Sequence, residues 1–275
     1  MGLTDTRRDE HDRALLTLLA QAEHEDLSLL VDYLTAHGHQ RASHSDARRV
    51  LLQAQAADAY SLQVLDTLLA ELKRFGDNNI LKLFRRGEGP AYIDIVRDVA
   101  RHFKVAFAEA DGVDLLEARI LDQLMGQAWD KMTDAERAEF NIGLGHVDSA
   151  GSAALAGARV ALQVGGFAAY RLALFAANSL ARSLTGRGLT ATTHAALHRT
   201  VRALSGPVAW AVSAAWTAFD LASPAYRVTV PCVVQIAYMR QKQSLHICPA
   251  CESPNEKTAR FCSQCGAALS HPVAP

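Results

Sequence analysis

Leucines at helical spacing dominate the first half of the chain. Leu15, Leu16, Leu18 and Leu19, then Leu27, Leu30, Val31 and Leu34, recur three and four residues apart with charges between them. That is the pattern of short amphipathic helices. The polar stretch HGHQRASH (37–44) interrupts it. The spacing then predicts a helix from about Asp58 to Phe75, with Leu62, Leu65, Leu69 and Leu72 on one face and Gly76 as its C-terminal stop. GEGP (87–90) reads as a turn, and Pro90 suits the first turn of a helix through Val99 and Phe103. A helix from about Val113 to Met132 follows, and Thr133 with Glu136 makes a capping box for the next.

Beyond Asp148 the pattern changes. Every fourth residue is small from Gly145 onward: Ser149, Ala153, Gly157, Ala161, Gly165, Ala169, Ala173, Ala177 and Ala181. Such a row lies along one ridge of a helix and forms a smooth slanted groove that a second helix can approach closely. Gly157, Ala161, Gly165, Ala169 and Ala173 form its centre. Ser205, Ala209, Ser213 and Thr217, with Ala214, Ala218 and Ala222, supply matching small rows further on. The expectation is a helical hairpin joined by a basic linker, 182–202, that carries Arg182, Arg187, Arg199 and Arg202. SPAY (223–226) then precedes an apolar run, Val228 to Met239.

Composition agrees with helices. Apolar residues are 49% of the 275 and aromatics only 7%, so Ala, Leu and Val carry the core. That mix favours helix packing through small side chains over a β-sandwich. The fold class expected is all-α: a multi-helix body with an Ala/Gly-rich hairpin, plus a small C-terminal zinc ribbon. The corresponding segments are an acidic helical domain, 1–148, the basic hairpin region, 149–243, and the ribbon, 244–275.

The net charge of −1 conceals a strong asymmetry. Residues 1–148 hold 26 acids against 17 Lys and Arg. From Ser149 to Cys251 the single acid is Asp220, against nine bases. Such a dipolar chain either pairs its halves internally or offers its basic half to an anionic surface. Arg182, Arg187, Arg199 and Arg202 are the candidate anion contacts. A membrane-spanning helix needs about 20 mostly apolar residues, and the longest uncharged stretch, Ala203–Phe219, has seventeen. Arg159 and Arg171 interrupt the first hairpin helix, at a cost of at least ~2.5 kcal/mol each near a bilayer centre. No spanning segment is expected. The opening residues lack an apolar signal region, so the expected location is the cytoplasm, with the inner membrane face as the alternative for a lipid-docked hairpin. Gly2 and Thr6 fit the myristoylation pattern only formally.

The clearest chemistry lies at the end of the chain. CPAC (248–251) and CSQCG (262–266) form a pair of CxxC knuckles. Zinc takes four ligands in a tetrahedron, and each knuckle presents two thiolates at one corner of a small ribbon. Cys248, Cys251, Cys262 and Cys265 therefore predict one structural Zn²⁺ with no open position. Gly266 supplies the positive φ that lets amides approach the thiolates, and Phe261 and Leu269 are the expected apolar support. The fifth cysteine, Cys232, reads as a buried small hydrophobe.

Other constellations fall short of a site. There is no phosphate-binding loop and no G-x-S-x-G elbow. His37, His39 and His44 read as solvated loop residues, Arg85 and Arg86 as a solvated basic face, and Asp94, Arg97, Asp98 and Arg101 as surface helix pairs. Enzymatic activity is not expected. The ribbon is charge-balanced with one aromatic, which speaks against a nucleic-acid partner and for a protein partner.

ELKRFGDNNILKLFRRGEGPAYIDIVRDVARHFKV (71–105) and SPAYRVTVPCVVQIAYMRQK (223–242) resemble the two signature stretches of the YaaW-type family of bacterial proteins. DEHDRALLTLLAQAEHEDLSLLVDYLT (9–35) resembles the short module that often opens them. The family has no established activity, so the resemblance implies no catalytic residues. Its distant grouping with ubiquinol–cytochrome c assembly chaperones implies a helical protein that handles a client. The zinc ribbon departs from the family pattern. Two readings follow: an adaptor or chaperone-like protein, and a membrane-associated protein whose basic hairpin meets an anionic bilayer.

Overall fold

Helix ends decide where the first elements stop. In the computed structural model, which describes residues 3–36, 45–77, 90–135, 137–138, 167–185, 225–251 and 253–269, α1 (Leu3–Ala20) turns through Gln21–Glu23 into α2 (His24–Ala36), whose first turn carries Glu25 and Asp26 against the positive end of its dipole. α3 (Ser45–Ala57) ends in a Schellman motif. Asp58 sits at φ +51°, and Ala59 N–H donates to Ala54 O at 3.0 Å. α4 (Leu62–Asp77) then starts afresh at Ser61, whose hydroxyl accepts from Val64 N–H. The helix expected from about Asp58 thus begins four residues later, because Asp58 terminates the preceding one.

Gly76 is not the stop it was expected to be. It lies within α4, and a Cβ there would sit 2.7 Å from Ile95 Cγ1. Its role is close approach between α4 and α5 (Tyr92–His102). Asp94, at the third position of α5, accepts from Ala91 N–H, while Asp12 of α1 accepts from Tyr92 N–H at 2.8 Å. α5 also closes with a Schellman motif, on Lys104 at φ +58°. α6 (Val113–Lys131) follows, with Leu116, Ile120, Leu121, Leu124 and Ala128 buried along one face.

α7 (Phe167–Thr185) and α8 (Tyr226–Gln243) complete the eight helices of the described residues. α8 is the centre of the described helices. It touches α1, α2, α4, α5, α6 and α7, and residues 228–239 are buried on every side. Its Val-rich sequence has strand propensity, and Pro231 removes one helix hydrogen bond. Burial of a whole helical surface outweighs both. One core runs from Leu15 through α8 to Leu245, so the charge boundary near 148 does not divide the packing.

Within α7, Ala169, Ala173, Ala177 and Ala181 are buried, but so are Leu172, Phe175, Ala176 and Leu180. The small row is therefore one face among several buried ones, and among the described helices α7 packs most extensively against α8. Gly145–Gly165 of the row, including Gly157 and Ala161, the partner rows of 205–222, and Arg187, Arg199 and Arg202 lie outside the described residues. So do His37, His39, His44, Arg85, Arg86 and Glu136 of the expected capping box. Arg182 is exposed near the end of α7.

The charge asymmetry is used internally. Arg240 Nε donates to Glu117 Oε2 at 2.7 Å, and Tyr92 Oη donates to Glu117 Oε1 at 2.7 Å. Lys242 Nζ bridges Glu23 and Asp26, 2.8 Å from each carboxylate. Gln235 Nε2 also reaches Asp26, at 3.3 Å. Glu117 and Asp26 are 2% and 3% exposed, so each needs its cation. Burial acts to depress Lys242, yet the Asp26 and Glu23 carboxylates hold its pKa above the usual lysine value.

Two acids of α5 differ from their surface reading. Asp94 pairs with Arg8 of α1, and its Oδ2 accepts from Arg8 Nε at 3.1 Å. Asp98 is buried and accepts from the Tyr226 hydroxyl, whose pKa burial and that carboxylate push up to about 12. The Tyr226 ring stacks on His102 at 3.9 Å between centroids. Tertiary contacts with α1 and α8 recruit both carboxylates from what the helix pattern alone places outside.

Candidate metal centre

The ribbon continues almost directly from the central helix. Ser244 ends α8, and Leu245, the first residue of β1 (Leu245–Ile247), is buried in the helical core. β1 pairs antiparallel with β2 (Pro254–Glu256) in the register Leu245↔Glu256, His246↔Asn255 and Ile247↔Pro254. The first knuckle, Cys248–Cys251, is the turn of this hairpin, closed by Cys248 N–H donating to Ser253 O at 2.9 Å. A second bridge, Phe261↔Ala268, frames the second knuckle. There Gly266 adopts the positive φ its position after the knuckle predicts, +73°, and its own N–H donates to the Cys262 carbonyl at 2.9 Å rather than to a sulfur.

These turns bring the four cysteine sulfurs within 4.8 Å of one another. Cys248 Sγ and Cys265 Sγ are 3.7 Å apart, and Cys251 Sγ and Cys262 Sγ 3.5 Å. Metal–sulfur bonds of ~2.3 Å in a tetrahedron separate the sulfurs by about 3.8 Å. The donor set therefore fits one metal ion, for which zinc is the usual occupant. Four protein thiolates fill its coordination. A zinc ion supplies the positive charge that lets four sulfurs ionise side by side, a structural role.

Electrostatics at the thiols point the same way. Hydrogen bonds from Cys265 and Gln264 N–H groups and from the Asn255 amide hold Cys262 down to about 6. Ser253, through its side chain and its N–H, lowers Cys251. For Cys265 the Ala267 N–H lowers the pKa, but the Cys251 thiol, desolvation and the Cys248 and Cys262 thiols together push it up to about 12. Successive deprotonations oppose one another until a cation joins them. Cys232, by contrast, is fully buried in α8, and burial alone raises its pKa, so it stays a thiol.

The support of the ribbon differs from expectation at one position. Leu269 is buried against Cys248 and Cys262, with Ala259 and Ala267 alongside. Phe261 is 66% exposed and supports nothing. In its bridge with Ala268 its side chain falls on the solvent face, since strand neighbours alternate and Cys262 takes the inner one. The ribbon is held by sulfurs, Leu269 and Asn255, a residue whose spacing from the cysteines gave no sign of its role.

Helices around one buried helix, ending in a metal-binding ribbon, define a helical zinc-ribbon protein. A zinc-ribbon domain family matches residues 247–269. A UPF0174 protein of Helicobacter pylori is 31% identical over 236 residues, covering 85% of this chain and 92% of that protein. A second UPF0174 protein of Helicobacter pylori is 33% identical over 179 residues, covering 62% and 85%. The UPF0174 protein YaaW of Escherichia coli is 28% identical over 183 residues, covering 64% and 71%. The chain belongs to the UPF0174 family. No solved structure matches it. Among the described residues no helix is long and apolar enough to cross a membrane.

Proposed function

We propose that this protein is a non-catalytic interaction protein, an adaptor or chaperone-like component of the cytoplasm, whose helical body carries a zinc ribbon that contacts a protein partner. The observation that carries this reading is the exposed Phe261. Of the large hydrophobic side chains described, Phe261 and Leu62 are the exposed ones, at 66% and 70%. A large aromatic on the outer face of so small a ribbon is the kind of side chain that anchors a protein contact when a partner buries it. The cavity beside the Asp26–Lys242 pair is about 140 Å³ and its charges are already paired, while a more open one of about 360 Å³ lies between α4 and Pro90, lined by Asp66, Leu69, Lys73, Arg74 and Asp77.

Capture of partners from the native cell tests this reading. Phe261→Ser should lose the partner bound by the wild-type chain while keeping full zinc content. Equal capture by both would remove the ribbon from the contact.

The second reading, docking of the basic region on an anionic membrane surface, draws on the +8 balance of residues 149–251 and on exposed Arg182. Arg240 and Lys242 are committed to internal ion pairs, which weakens it. Flotation with anionic liposomes separates the two. Lipid binding unaffected by Phe261→Ser would put the membrane reading first.

A further inference from the structure

The side chain of Asn255 lies inside the ribbon, 4% exposed, between the two knuckles. Its amide makes four contacts. Nδ2 donates to Ser253 O at 2.7 Å, the carbonyl that also closes the first knuckle, and to Cys262 Sγ at 3.6 Å. Oδ1 accepts from Ser263 N–H at 2.9 Å and from Ser263 Oγ at 3.1 Å, both on the second knuckle. An amide has two N–H groups and two acceptor lone pairs, and all four are used. The orientation is thereby set: the reverse would turn an oxygen towards Ser253 O and the Cys262 sulfur.

We propose that Asn255 is the positioning residue of the metal centre, tying the Cys248–Cys251 knuckle to the Cys262–Cys265 knuckle and donating an N–H to the Cys262 thiolate. Four thiolates give a dication an excess of negative charge. An N–H aimed at one sulfur withdraws part of it, as buried donors around metal ligands do. Because β2 places Asn255 opposite His246 in the hairpin, the same side chain relates both cysteine pairs to the strand register. The inference rests on zinc occupying the four sulfurs, which the zinc content of the unaltered chain tests separately.

The test uses the full chain, loaded with zinc for affinity and with Co²⁺ for spectroscopy. Asn255→Ala removes all four hydrogen bonds. Asn255→Asp keeps the size and the acceptor for Ser263 but presents an oxygen to Ser253 O and Cys262. Each should lower zinc affinity about tenfold to a hundredfold in chelator competition. Each should also move the sulfur-to-cobalt charge-transfer band to longer wavelength, since a sulfur without its hydrogen bond gives up charge more readily. Leu269→Ala is the packing control. It weakens the ribbon but leaves the band in place. Ser263→Ala removes only the hydroxyl that helps orient the amide, and should loosen zinc a few-fold. Affinity within threefold of wild type in both Asn255 variants would overturn the proposal. So would losses no larger than that of Leu269→Ala with an unmoved band, or an unchanged affinity in Ser263→Ala.

Discussion

Arg240 of α8 and Glu117 of α6, 123 positions apart in the chain, meet in a two-point ion pair, Nε to Oε2 at 2.7 Å and Nη2 to Oε1 at 3.3 Å. The contact joins the basic and acidic halves where the central helix ends. Removing one member leaves the other charge buried without its partner. Glu117→Ala should therefore cost about 3–5 kcal/mol in urea unfolding, since it also strips Tyr92 of its acceptor. Glu117→Leu with Arg240→Met should recover most of that loss. Additive single costs in the double variant would show that the pair is not coupled.

Metal removal should have a local effect. Purified protein should carry one zinc, and Cys248→Ser with Cys262→Ser should carry none. A strong chelator should unfold the ribbon while the helical circular dichroism largely survives, because ribbon folding is coupled to the metal and the helical core is a separate cluster. Collapse of the helical signal on chelation would contradict this.

Gly76 permits the contact of α4 with α5. Alanine has the better helix propensity, by up to ~1 kcal/mol, yet its Cβ would lie 2.7 Å from Ile95 Cγ1. The clash should win, with a net loss of about 1–2 kcal/mol. Ile95→Ala should cost less in the Gly76→Ala background than alone. A melting temperature raised by Gly76→Ala would mean that α5 moves aside without penalty.

His102 introduces a pH dependence. Desolvation lowers its pKa below the ordinary 6.5, against the opposing pull of Asp98. The unfolded chain then takes up the proton first as pH falls. The stability that neutral His102 provides is complete above 6.5 and declines as pH drops from there through the lowered folded value. Thermal melts at about pH 7.5 and about pH 5.5 should differ more for the wild type than for His102→Gln. Equal slopes would assign the acid sensitivity to other groups.

Local pattern by itself determined a good deal of this protein. The leucine spacing of 15–34 sets helices with one buried face, because period and burial face are the same information. The CxxC pairs set the metal centre, because two thiolates per turn is a local geometry, and Gly266 needs its positive φ whatever surrounds it. Only the tertiary structure decided the rest. Asp58 and Lys104 end helices in the left-handed region without being glycine, and Gly76, which looks like a stop, serves packing instead. Phe261 is expected as ribbon support and faces out, while Asn255, which no motif marks, ties the knuckles together. The charge asymmetry leaves internal pairing open, and the fold selects Glu117 with Arg240 and Asp26 with Lys242 to pair across the interior. In each case the deciding partner lies on another element or across the hairpin. A sequence records each residue's own preference, whereas burial and pairing depend on what the fold sets against it.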